Sequence, residues 1–123
     1  MYQHFKDHAE FLTVYIREAH PDDGWQVKAN LDQGVCYRQP KTLEQRVAIA
    51  KDFCQRFDYP LPVAVDGMDN SAERAYAGWP ERIYVIDEAR KIVYKGGMGP
   101  RDYRPQEVRA WLEARFPAGV ATR

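Results

Sequence analysis

FLTVYIREAHPDDGW, from Phe11 to Trp25, is a β-branched and aromatic run that stops abruptly at an acid, a histidine, a proline and two aspartates. Its near-continuous apolar character over residues 11–16 predicts a strand buried on both faces, as in a parallel sheet. In open α/β sheets the carboxyl end of the strands is where sites form. Glu18 and His20, just past that end, are therefore the first candidate functional residues. An imidazole is the side chain that titrates nearest neutrality, so His20 can hold a proton for a leaving group or keep a thiolate ionised nearby. Glu18, two residues earlier on an extended segment, is expected to share its face and to orient the ring. The competing reading is that His20 only hydrogen-bonds across its loop, because isolated E-x-H spacings are common.

Outward from this stretch the chain alternates helices and strands. Residues 1–10 place Tyr2, Phe5 and Ala9 on one face at helical spacing. Residues 17–41 are rich in turn signals and form a longer connection than a compact domain usually contains, which points to a functional loop. Thr42 opens a helix to about Phe57, with Gln45 three residues after the cap as in a capping box. Its stripe of Leu43, Val47, Ala50, Cys54 and Phe57 is expected to face the core, with Cys54 acting as a small buried hydrophobe. A short strand over residues 63–66 and an N-capped helix ending at Gly78 follow. WPERIYVID and KIVYKGG are close enough to pair as an antiparallel hairpin, and Pro105 starts a terminal amphipathic helix carrying Val108, Trp111 and Leu112. Residues from about 117 to 123 read as a flexible tail.

Composition limits the function classes. Eighteen basic and eighteen acidic residues cancel over 123 residues, a length that fits one domain. That balance leaves no footprint for nucleic acid or an anionic membrane surface. The longest apolar runs fall far below the ~20 residues of a membrane span, and no charged-then-apolar leader opens the chain, so a cytoplasmic location is expected. Cys36 and Cys54 form no C-x-x-C pair and no Cys/His cluster, so no metal or other bound cofactor is expected. Cys36, in the long loop, has no helix N-terminus or cation beside it to lower its pKa and is a weak nucleophile candidate. The glycines of GMGPR lack the strand-to-helix setting of a phosphate loop.

A parallel α/β layer that finishes with an antiparallel hairpin and a packing helix corresponds to the C-terminal part of a thioredoxin-like fold. Such proteins place a cis-proline before the hairpin; Pro80 occupies that position, a trans-proline marking a strand start being the alternative. The segments YIREAHPDDGW, PVAVDGMDNSAERAYAGWPERIYVID, KIVYKGGMGP and YRPQEVRAWLE together resemble the iodothyronine deiodinase family in its bacterial, deiodinase-like branch. The resemblance runs in register from about Phe11 to Glu113. It implies reductive removal of iodine from phenolic iodothyronines by a selenocysteine or cysteine, with a thiol as cosubstrate. By the same resemblance Glu18 and His20 match the acid and histidine beside the selenol, and Tyr15, Trp25 and Arg82 match residues lining the substrate site. Pro40 stands where vertebrate members carry a second histidine.

The resemblance also implies a nucleophile on a strand-to-helix turn ahead of the first helix, and no residue of this chain matches it. The expectation is an N-terminally truncated, inactive domain, with a selenocysteine codon upstream of Met1 as one cause. A strand would then be missing between residues 11–16 and residues 82–87, leaving unpaired edges. Those edges would pair directly or borrow a strand in a homodimer, the latter being preferred. Two other readings stay open: a thiol or selenol peroxidase-like enzyme, and a non-catalytic module that binds an aromatic ligand or a partner chain around His20, Trp25 and Trp79.

Overall fold

The computed structural model describes residues 1–18 and 39–117. His20, Trp25, Cys36 and the expected tail beyond residue 117 lie outside the described residues. Those described form a mixed α/β structure, consistent with a thioredoxin-like arrangement. In chain order they are α1 (Tyr2–Phe5), β1 (Thr13–Tyr15), α2 (Leu43–Arg56), β2 (Val63–Val65), α3 (Ser71–Tyr76), β3 (Tyr84–Ile86), β4 (Ile92–Lys95) and α4 (Pro105–Arg115). They fall into two compact units, one of residues 13–80 and one of residues 1–12 with 81–123.

In the first unit β1 and β2 run parallel, with Thr13 opposite Val63 and Tyr15 opposite Val65. The ladder extends by one bond past the strands, where the Asp66 amide donates to the Tyr15 carbonyl at 2.8 Å. Val14 is 40% exposed, so β1 is not covered on both faces as the apolar run predicts. Helix α2 starts as expected: the Thr42 hydroxyl accepts from the Gln45 amide at 3.2 Å, and the Gln45 side chain accepts from the Lys41 amide at 2.8 Å.

The buried row of α2 differs from the predicted stripe. Ala50 is buried, but Leu43 and Phe57 are 46% and 49% exposed and Cys54 is only half-buried. The physical reason is Arg46, four residues before Ala50 and 2% exposed. Its guanidinium donates to the carbonyls of Asp66 and Gly67 at 3.2 and 2.8 Å and to the Asn70 side chain at 2.9 Å. Those bonds turn the 46/50 row inward and tie α2 to the turn after β2. Phe53 stays on the flank, packed at a tilt against Phe57 and Tyr59 with ring centroids 5.0 and 5.4 Å apart.

In the second unit the hairpin forms as read: β3 and β4 pair antiparallel, Tyr84 opposite Lys95, with an irregularity between Val85 and Ile86. The Asp87 carboxylate accepts from the amides of Ala89 and Lys91, both at 2.9 Å, and closes the turn. The core is Phe5, Val108 and Leu112, 0 to 5% exposed, with Phe11, Ile83, Val85, Tyr94 and Trp111 packed against it. The Tyr94 hydroxyl donates to Glu107 at 2.8 Å; burial and this acidic partner raise its pKa. Among the described residues each of the two sheets is two-stranded. The Trp79–Pro80 bond is cis, as the resemblance implies, and Gly99–Pro100 is cis as well. No helix among the described residues is long and apolar enough to cross a membrane.

Candidate functional site

Glu18 lies three residues past the end of β1, on the carboxyl side of the β1–β2 pair. Its carboxylate accepts a hydrogen bond from the Tyr15 hydroxyl. Two residues singled out in the sequence are thus brought into direct contact, and the site holds a phenol donating to an acid. The Glu18 main chain is held independently, because the Gln39 carboxamide accepts from its amide and donates to its carbonyl, both at 3.0 Å.

Arg17, between the strand and Glu18, is anchored on its own side. Its Nε stands 3.0 Å from the Glu73 carboxylate, and its guanidinium lies over the Trp79 ring, 4.9 Å from the centroid. Glu73 is placed by α3, and α3 in turn by Asp66. The Asp66 carboxylate accepts from the amides of Ala72 and Glu73, both at 3.0 Å, at the start of that helix. Asp66 is 4% exposed. Burial alone would raise its pKa, but the amides of Glu73, Ala72 and Gly67 and the charge of Arg46 outweigh that and hold it below the usual aspartate value.

Arg82, in the other unit, sits just before β3 and spends Nη1 on the Gly96 carbonyl at 3.2 Å. Of the five site residues read from the sequence, Tyr15 and Glu18 are joined, Arg82 is placed at the hairpin's base, and His20 and Trp25 lie outside the described residues. Gln39 and Glu73 were not singled out. Gln39 stands 21 positions from Glu18, so no local spacing connects them. Glu73 is the single acid of a short helix, and only the fold shows that it faces Arg17.

Among the described residues no group of three His, Cys, Asp or Glu side chains could hold a metal ion. The thiol among them belongs to Cys54, on α2. Chemically, the arrangement is an α/β protein with a phenol–carboxylate pair at the carboxyl end of parallel strands, and no thiol among the described residues is part of that pair.

The comparisons with known proteins show the family that the sequence resembles. The iodothyronine deiodinase family model matches residues 1–116, and the chain belongs to that family. It is 42% identical over 116 residues to the type II iodothyronine deiodinase of Rattus norvegicus and 40% identical over 116 residues to that of Homo sapiens. It is 44% identical over 112 residues to the thyroxine 5-deiodinase of Gallus gallus. These matches cover 93%, 93% and 89% of this chain but only 43%, 42% and 40% of the relatives.

Proposed function

We propose that these residues supply the acid–base half of a reductive deiodination of iodinated phenols such as iodothyronines. The observation that carries the reading is the Tyr15–Glu18 contact in a chain matched by the deiodinase family over residues 1–116. A selenolate or thiolate attacks the iodine, the carbon–iodine bond breaks with its electron pair staying on carbon, and that carbon takes a proton. The selenenyl or sulfenyl iodide is then reduced by two thiol molecules, which leave as a disulfide while iodide departs. Glu18, with Tyr15 and His20, serves the proton; Arg82 and Trp25 line the ring's site. The soft nucleophile is a selenocysteine or cysteine of the intact protein outside residues 1–123, and these residues alone do not turn over.

Iodide release from an iodothyronine in the presence of a dithiol tests the proposal. The intact protein is expected to release iodide and the 123-residue chain to release none above the thiol blank. Release by the 123-residue chain would overturn the division of labour. An intact protein that consumes only peroxide would overturn the deiodination itself.

A further inference from the structure

We infer that Gln39 is a positioning residue for this reaction, a two-point clamp on the Glu18 main chain that keeps the acid aimed at Tyr15. The inference rests on the reading of Glu18 given above. Glu18 follows the end of β1, so no strand ladder orders its backbone. Left to itself it would sample several backbone wells, at about 1–2 kcal/mol of entropy to recover on each productive alignment. The Gln39 carboxamide removes that freedom by accepting from the Glu18 amide and donating to the Glu18 carbonyl, both at 3.0 Å.

Among polar side chains only a carboxamide offers one donor and one acceptor fixed in the geometry of a peptide group. Lysine or arginine at position 39 would only donate, and an ionised glutamate would only accept. A carboxamide also brings no charge next to the Glu18 carboxylate. At the other end of the segment the Tyr15 carbonyl is held by the Asp66 amide at 2.8 Å. Between them Arg17 is held by Glu73 and Trp79. The backbone from Tyr15 to Glu18 is thereby fixed at both ends and in the middle, and the hydroxyl–carboxylate contact is preorganised. Gln39 also ties together Glu18 and position 39, which flank residues 19–38 in the sequence.

The test compares Gln39→Leu and Gln39→Glu with the wild type in the intact protein, reading the Glu18 amide by hydrogen exchange and iodide release by steady-state kinetics. In Gln39→Leu the Glu18 amide is expected to exchange about tenfold faster, the size of effect that losing one or two net hydrogen bonds gives. kcat is expected to fall by about tenfold, with KM for the iodophenol unchanged. Gln39→Glu keeps an acceptor for the amide and is expected to restore slow exchange while only partly restoring kcat. Glu18 amide exchange within twofold of wild type in Gln39→Leu would overturn the clamp. Faster exchange with unchanged kcat would overturn its role in the reaction. If wild-type protein releases no iodide, the deiodination reading fails, and the exchange measurement still decides whether the clamp exists.

Discussion

Tyr15 and Glu18 form the contact on which the proposed chemistry turns, and the two are separated by three positions where the chain leaves β1. The phenol donates and the carboxylate accepts, so removing the hydroxyl strips the acid of a partner without changing ring volume. Tyr15→Phe in the intact protein is expected to lower kcat for iodide release by about tenfold and to leave KM for the thiol unchanged, measured by initial rates over a range of thiol concentrations. An unchanged kcat would show that the hydroxyl takes no part. At this scale Glu18 was legible because an apolar run stops just before it, while Tyr15, inside that run, stood out only through the family resemblance. It was silent about Gln39 and Glu73, whose partners lie 21 and 56 positions away and are brought close only by the fold.

At the scale of elements, Asp66 is the joint between a strand and a helix. It follows β2, accepts the first amides of α3, and shares Arg46 with α2 through its carbonyl. Its folded pKa lies below the ordinary value of about 3.9, so its stabilisation is fully present above that value and is lost as pH falls through the folded pKa. Asp66→Asn keeps one acceptor for two amides and is expected to cost about 1–3 kcal/mol at neutral pH. The variant should also lose less stability than the wild type between about pH 4 and pH 2. Urea unfolding across that pH range checks both points, and identical acid limbs would contradict the assignment. The helix α2 shows how such a joint escapes sequence reading. Periodicity assigns Leu43, Val47, Ala50, Cys54 and Phe57 to the inside, because apolar spacing is the signal it uses. The guanidinium of Arg46 instead finds two carbonyls and a side-chain oxygen behind β2, and these bonds draw its own row inward. The hairpin and α4 were legible because their turn chemistry, the Asp87 carboxylate and Pro105 at the first helical position, is local.

At the scale of the whole molecule, the chain spans about 40 to 43% of the length of the deiodinases it matches. Within that span β1 and β2 present the Tyr15–Glu18 pair, and α3 holds the intervening Arg17 through Glu73; the proposed reaction assigns the pair the proton and the remainder of the intact protein the nucleophile. The central claim is that Glu18 serves the proton in that intact enzyme. The most direct measurement is iodide release from an iodothyronine by the intact protein at saturating dithiol, wild type against Glu18→Gln. The glutamine still accepts from Tyr15 and fills the same volume but cannot take up a proton at neutral pH. The account predicts that kcat falls by about a hundredfold, the lower end of what a positioned acid or base contributes. A kcat within threefold of the wild type would contradict it.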